Sequence, residues 1–366
     1  MWPERHAPRP QGFSGSYAPE DVTFLLKPVQ LQPVDVATKE SLIQSGRRHY
    51  SEVIGVETLP TPAYLELFHA AERRNRNRLA GDLASLARQL AERKQSREIV
   101  IVSLARAGTP IGVLLTRLLR VQGHAAVHYS ISIIRDRGID LNALAYIAAR
   151  HDPADAVFVD GWTGKGAIAS ELRRSLADRP CGFQSILAVI ADPAGQADLA
   201  ASTDDYLIAS GLLNAIVSGL VSRSILNAEA VGPGDFHACV AYPHLAPHDL
   251  SRGFVDRLFE AALAAAPRDL KAHVERRPGL RAECEAMVVD VMHRSDVSDR
   301  NRIKPGIAEA TRAFLRRVPE RLFLRDPADP DVAHLVHLAD AARVPTAQLS
   351  PRCTYRAVAV IGKAGA

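Results

Sequence analysis

The segment Ala156-Val-Phe-Val-Asp-Gly-Trp-Thr-Gly-Lys-Gly166 holds the residues best suited to chemistry. An apolar run passes through one acid into a small glycine-rich turn, and then into a helix-forming stretch. That order suits a phosphate group, because glycines let backbone amides approach closely and a helix N-terminus adds partial positive charge. Thr163, Gly164, Lys165 and Gly166 are the expected phosphate-holding residues. Asp160, at the carboxyl end of a strand, is placed to accept hydrogen bonds from sugar hydroxyls or to support a metal ion. GxxxxGK[ST] is absent, so this is not a Walker A loop. The competing reading is an ordinary βα turn.

Two upstream loops add cations. In Ser103-Leu-Ala-Arg-Ala-Gly-Thr-Pro110, Arg106 supplies a bidentate donor and Gly108 permits close backbone approach. In Ser132-Ile-Ile-Arg-Asp-Arg-Gly-Ile-Asp140, Arg135 and Arg137 flank Asp136. Charge developing on an anionic leaving group calls for such cations, usually with Mg²⁺. A solvated charged loop explains them equally well.

A second chemistry needs a thiolate with a histidine in hydrogen-bond reach. Asp235-Phe-His-Ala-Cys239 offers the nearest local set, since residues two apart on a strand share a face and bring His237 beside Cys239. Cys181, after Pro180, is an alternative. The default for either is a small buried residue. Cys181, Cys239, Cys284 and Cys353 form no CxxC pair, so neither a disulfide framework nor a cysteine-rich zinc site is expected. Reduced thiols fit a cytoplasmic protein.

Elements of a particular kind must position these residues. Glu98–Leu104, Ala125–Ile134, Ala156–Val159 and Ser185–Ile190 read as buried strands. Helical patterns over 62–94, 109–121, 140–150, 166–176 and 211–226 surround them. The alternation predicts βαβ units and a parallel sheet with helices on both faces. Further helices are expected over 253–265 and 279–292, and a last small unit over 300–366: helix 307–317, strand 321–325, helix 332–342 and strand 355–361. Proline recurs through residues 1–60, which predicts an extended arm. Ser218, Ser222 and Arg223 are pocket candidates, or helix caps and surface polarity.

With 366 residues the chain suggests two or three domains, at roughly 100–200 residues each. Hydrophobic residues make up 47% and charged residues 23%, which excludes collagen, long coiled coil and wholesale disorder. A net charge of +4 is too small to imply nucleic-acid binding by the whole surface. No apolar run approaches the ~20 residues that span a bilayer, so no membrane partner is expected. Met1 to Gly15 lacks the apolar core of a secretory signal.

The 156–166 segment resembles the phosphoribosyltransferase signature, in which a Thr-Gly turn cradles the 5′-phosphate of phosphoribosyl pyrophosphate. Ser103–Pro110 is similar to that superfamily's pyrophosphate loop. The signature usually has two adjacent acids, whereas here Val159 and Gly161 flank a single Asp160. A longer resemblance rests on Gly15-Ser-Tyr, Asp21-Val-Thr-Phe-Leu-Leu-Lys27, His49-Tyr-Ser-Glu52, Asp204-Asp-Tyr-Leu-Ile208, Leu212-Leu-Asn214 and Ser218–Ser224. These stretches resemble one bacterial family associated with tellurium-resistance and stress gene clusters. It couples a phosphoribosyltransferase-like domain to a pelota-type RNA-binding domain and is also described as the cysteine protease StiP family.

The resemblance implies an arm over 1–60, a phosphoribosyltransferase-like domain over 61–250, a helical connector over 251–299 and a pelota/L7Ae-like α/β domain over 300–366. It implies a transferase using phosphoribosyl pyrophosphate with ligand-borne Mg²⁺, in which Asp160 steadies the ribose and Arg135 and Arg137 act at the pyrophosphate. The alternatives are a cysteine protease, or a catalytically inert nucleotide- or RNA-binding module. Ile303-Lys-Pro-Gly-Ile-Ala-Glu-Ala-Thr-Arg312 resembles the RNA-contacting helix of the pelota group, with Gly306, Glu309 and Arg312 matching. Eleven basic and six acidic residues from Asn301 onward suit contact with a structured RNA.

Overall fold

The computed structural model describes residues 12–93 and 98–363. The beginning of the expected arm, most of the Met1–Gly15 stretch and the end of the first long helix at Lys94 lie outside the described residues.

Six strands form the central sheet in the order β1-β4-β3-β7-β8-β9. They are β1 (Thr23–Leu25), β3 (Glu98–Leu104), β4 (Ala125–Ile131), β7 (Ala156–Trp162), β8 (Leu187–Ala191) and β9 (Leu199–Ser202). Every neighbouring pair is parallel. All carboxyl ends therefore share one edge, where ligand sites of open α/β sheets gather. The arm contributes β1 to the sheet edge, as well as β2 (Lys27–Pro28), which pairs with β10 (Ala238–Cys239).

Alternate residues of each buried strand face opposite layers. Ile99, Ile101, Val157 and Val159 pack beneath α2 (Pro62–Arg93), α3 (Thr109–Val121) and α6 (Ser251–Leu263). Val100, Val102 and Phe158 pack beneath α4 (Leu141–Ala148) and α5 (Ala167–Ser175). Apolar residues on both faces explain why these strands read as continuous hydrophobic runs.

A second sheet, in the order β11-β14-β12-β13, comprises β11 (Ile303–Pro305), β12 (Pro319–Leu324), β13 (Thr346–Gln348) and β14 (Ala357–Ile361). Along β14, Ala357, Ala359 and Ile361 face α8 (Ile307–Arg316) and α9 (Ala333–Ala341). Val358 and Val360 face the connector helix α7 (Lys271–Arg294) through Val288 and Val291. The core around Ile307 and Leu335 is continuous with that of the first sheet, so the two units are packed together.

Residues 211–226 depart from the helical expectation. They form only short 3-10 turns, at Ala209–Gly211 and Ala215–Val217, followed by irregular chain. Gly219 and Leu220 both take positive φ, which an α-helix cannot accommodate. Helix α7 begins earlier than expected and runs through Pro278. Among the described residues no helix is long and apolar enough to cross a membrane.

Candidate functional site

Strand β7 delivers Asp160 to the carboxyl edge, and the chain then turns through Thr163 to Gly166 into α5. Gly166 has φ +87°, and a Cβ there would lie 2.6 Å from Gln196 Cγ, so both conformation and space require glycine. A Cβ on Gly164 would come within 2.9 Å of Glu309 Cγ, which belongs to the second unit. The glycine turn is thus pressed against α8, and a cavity of about 290 Å³ opens beside it.

The cavity has three walls. Asp160 and residues 162–169 form the first. Lys304, Glu309, Arg312 and Arg316 form the second, from β11 and α8. Lys39 and Tyr50 of the arm, with Arg135 and Arg223, form the third. Burial and neighbouring cations push the Lys165 ammonium down to about 7. Burial, then repulsion from Arg223 and Arg316, lowers Lys39 to about 8, and burial likewise brings Lys304 to about 8. Burial raises Asp160 to about 6, against the pull of Arg312. Burial opposes ionisation of Glu309 as well, yet Arg312 and Lys304 hold its carboxyl below the usual range.

The expected phosphate residues have assignments of their own. The Thr163 hydroxyl donates to Asp192 Oδ1 at 2.5 Å. Lys165 donates to the carbonyls of Arg300 and Ile303, fastening the turn to the second unit. Arg135 pairs with Asp136 at 3.1 Å and reaches Asn301.

Other expected partners lie elsewhere. Arg106 is buried and donates to the Val221 carbonyl at 2.6 Å, with Glu57 at 3.8 Å; it does not line the cavity. Gly108 is required by packing, since a Cβ there would sit 2.3 Å from the Val159 carbonyl oxygen. Arg137 is half-exposed, pairs with Glu52 and is also absent from the cavity wall.

The residues expected to contact RNA, Gly306, Glu309 and Arg312, are turned inward. Asp205, from the first unit, accepts the Ile307 amide at 3.0 Å and the Arg356 amide at 2.9 Å. A buried carboxylate therefore already occupies the α8 N-terminus beside Gly306. Arg312 pairs with Glu309 at 2.8 Å and lies 4.7 Å over the Trp162 ring. An RNA using Gly306, Glu309 and Arg312 would have to displace the first unit.

The thiols lie outside the cavity wall. Cys239 is fully buried, and burial pushes its thiol up to about 12. His237 Nδ1 lies 2.8 Å from Ser132 Oγ, and the His237 amide donates to Asp140 Oδ2 at 2.6 Å. No hydrogen bond joins Cys239 to His237, so adjacency on a strand has not made a thiol–imidazole pair in this conformation. Burial raises Cys181 and Cys284, and takes Cys353 to about 11. The Cys284 sulfur lies 3.0 Å from the Tyr355 hydroxyl.

Among the described residues no group of three or more His, Cys, Asp or Glu side chains could hold a metal ion. Glu309, the one acid beside Asp160 on the wall, is committed to Arg312. The donor set does not fit a protein-held Mg²⁺. Sequence reasoning missed Lys39, Lys304 and Arg316, which come from distant segments without a shared motif.

A family model described as "Tellurite-like stress resistance cysteine protease StiP" matches residues 15–259, and one described as "PELOTA RNA binding domain" matches residues 282–363. The "Cysteine protease StiP" of Acinetobacter baylyi is 45% identical over 370 residues, covering 97% of this chain and 96% of its own. Among solved structures, the hypoxanthine phosphoribosyltransferase of Trypanosoma cruzi is 12% identical with a TM-score of 0.28, over 35% of this chain and 77% of its own. The HGPRT-ase of Leishmania tarentolae, in complex with GMP, is 13% identical with a TM-score of 0.28, over 46% of this chain and 94% of its own. Scores that low carry no argument about activity. The expectation of a transferase using phosphoribosyl pyrophosphate is therefore corrected, because a relative covering 97% of the chain is described as a cysteine protease. The chain belongs to the StiP family.

Proposed function

We propose that this chain is an enzyme of the cysteine protease class, with Cys239 as nucleophile and His237 as its base. The observation that carries the reading is 45% identity over 97% of the chain to a relative described as a cysteine protease. The StiP match over 15–259 contains Cys181 and Cys239 and excludes Cys284 and Cys353. Of the two, Cys239 has an imidazole two residues away, and that imidazole has a hydroxyl and a carboxylate beside it. The remaining influence on Cys181 is burial alone.

Attack needs a thiolate, and the Cys239 thiol is buried in the main hydrophobic core, on a strand that pairs with the arm. The Lys27 amide donates to the His237 carbonyl at 2.9 Å and the Val29 amide to the Cys239 carbonyl at 2.8 Å. A pairing this short belongs to the low-stability end of local opening. In this reading, opening it lets His237 take the thiol proton. The thiolate then adds to the peptide carbonyl, His237 protonates the leaving amine, and water hydrolyses the thioester. The test is hydrolysis of a fluorescent casein by the full chain. Cys239→Ala should abolish it and Cys181→Ala should leave it intact; an unchanged rate in folded Cys239→Ala would remove the assignment.

A second reading, RNA contact by the C-terminal unit, is supported by its match to an RNA-binding domain. In the closed arrangement the exposed Arg343 and Arg352 are open to an RNA backbone, whereas Arg312 is engaged.

A further inference from the structure

We infer that the cleft between the two units is a binding site for a small anion carrying a chain of phosphoryl groups, such as an inorganic or nucleoside triphosphate, gripped by both units and the arm. The reading is independent of the protease assignment, because none of the four cysteines lines the cleft.

Cations in excess of acids line this half-open cleft. The acids near the cleft are already assigned: Glu309 to Arg312, Glu40 to Arg317, and Glu57 towards Arg106. Asp160 alone faces the cavity without an ion-pair partner among the described residues. Against it stand Lys39, Lys165, Arg223, Lys304 and Arg316, none of which forms an ion pair among the described residues. Neutral oxygens hold three of them. Arg223 donates to the carbonyls of Tyr50, Val53 and Ser224, and Lys165 to those of Arg300 and Ile303. Arg316 donates to the Asn214 side-chain oxygen. Lys304 and Lys39 have no side-chain hydrogen bond among the described residues, although Lys39 is only 7% exposed.

Gathering like charges in a partly dehydrated space is unfavourable unless something negative enters it. Burial and mutual repulsion hold these ammonium groups well below their ordinary range, as expected of a site lacking its counter-charge.

Shape and charge distribution narrow the ligand. A volume of about 290 Å³ sits at the small end of ligand pockets, and a duplex does not fit it. The cations lie on three walls: the β7–α5 turn, the β11–α8 segment, and the arm with Arg223. A ligand that meets all three walls is best served by charge spread along its length, as a phosphoryl chain presents it.

The test is calorimetric titration of the full chain with inorganic tripolyphosphate, with ATP, and with a 5′-hydroxyl RNA decamer. Tripolyphosphate should bind, more weakly as salt rises. Lys304→Gln and Arg316→Gln should each weaken it by roughly 10–100-fold, the loss of one charge-assisted contact. Arg252→Gln, on the exposed surface and away from the cleft, should leave it unchanged. Tighter binding of ATP than of tripolyphosphate would identify a nucleoside ligand; equal binding would identify the phosphoryl chain alone. Without ligand, Lys39→Gln should melt no lower than wild type, because it removes a cation disfavoured by burial and by repulsion from Arg223 and Arg316. Failure of both polyphosphates to bind, equal affinity in both cleft variants, or binding of the RNA alone would overturn the proposal.

Discussion

Replacing Asp192 by alanine should loosen the β7–α5 turn and the connector helix together. Asp192 follows β8 and is fully buried. Its Oδ1 accepts the Thr163 hydroxyl at 2.5 Å and the Gln196 amide at 2.8 Å. Its Oδ2 accepts the Ala197 amide at 3.0 Å and lies 2.8 Å from His273 Nε2 on α7. Burial alone would raise its pKa, but these bonds hold the carboxyl below the usual range. Alanine strands a hydroxyl, two amides and an imidazole, each at about 1–3 kcal/mol if it stays dry. Allowing water to reach some of them, the expected loss is about 4 kcal/mol, high for one substitution. Asparagine retains one acceptor oxygen, so Asp192→Asn should lose about half as much. Because the folded pKa is depressed, the carboxylate's contribution is present above the unfolded value of 3.8 and lost as pH falls through the lower folded value. The gap between wild type and Asp192→Asn should therefore close below pH ~4. Urea unfolding at neutral and acidic pH reads both effects, with m as the check on the unfolded state. A loss under about 1 kcal/mol for alanine, or equal losses for both variants, would refute the role of Asp192 as a hub.

Two further outcomes concern the carboxyl edge of the central sheet. Asp160, raised from 3.8 to about 6 by burial, is more easily protonated folded than unfolded. Its charge therefore costs stability above pH ~6, by up to about 3 kcal/mol, and that cost disappears as pH falls towards 4. Thermal melts should show Asp160→Asn more stable than wild type at pH 8 and equal to it near pH 4; a constant difference would count against the assignment. Gly108→Ala would drive a Cβ to 2.3 Å from the Val159 carbonyl oxygen, which is strand backbone that cannot swing aside. A loss of about 2–3 kcal/mol is expected in urea unfolding, and a neutral result would show that the β3–α3 turn can shift.

The sequence made the sheet legible where local pattern and tertiary role coincide. The runs around Val100, Val157 and Val189 are apolar on both faces because helices cover both faces. The strand, acid, Thr-Gly and helix order at 156–166 likewise gave the turn that lines the cavity. The 211–226 stretch misled because its apolar residues pack as turns, and the backbone of Gly219 and Leu220 overrides their helical spacing. Arg106 looked like a ligand-binding arginine, but its role depends on Val221 and Glu57, which no local pattern brings near it. The inward turn of α8 was equally hidden, since Asp205 lies about a hundred residues from Ile307. Charges that meet only through docking of the two units leave no signature in either unit alone.

The central claim, a nucleophilic thiol at Cys239, is tested most directly by trapping. The full chain would be incubated with a peptidyl chloromethyl ketone, digested, and the alkylated cysteine located by mass spectrometry. The account predicts a stoichiometric adduct on Cys239 that His237→Ala suppresses and that casein competes away. An adduct confined to Cys181, Cys284 or Cys353, with Cys239 untouched under conditions that inactivate hydrolysis, would contradict it.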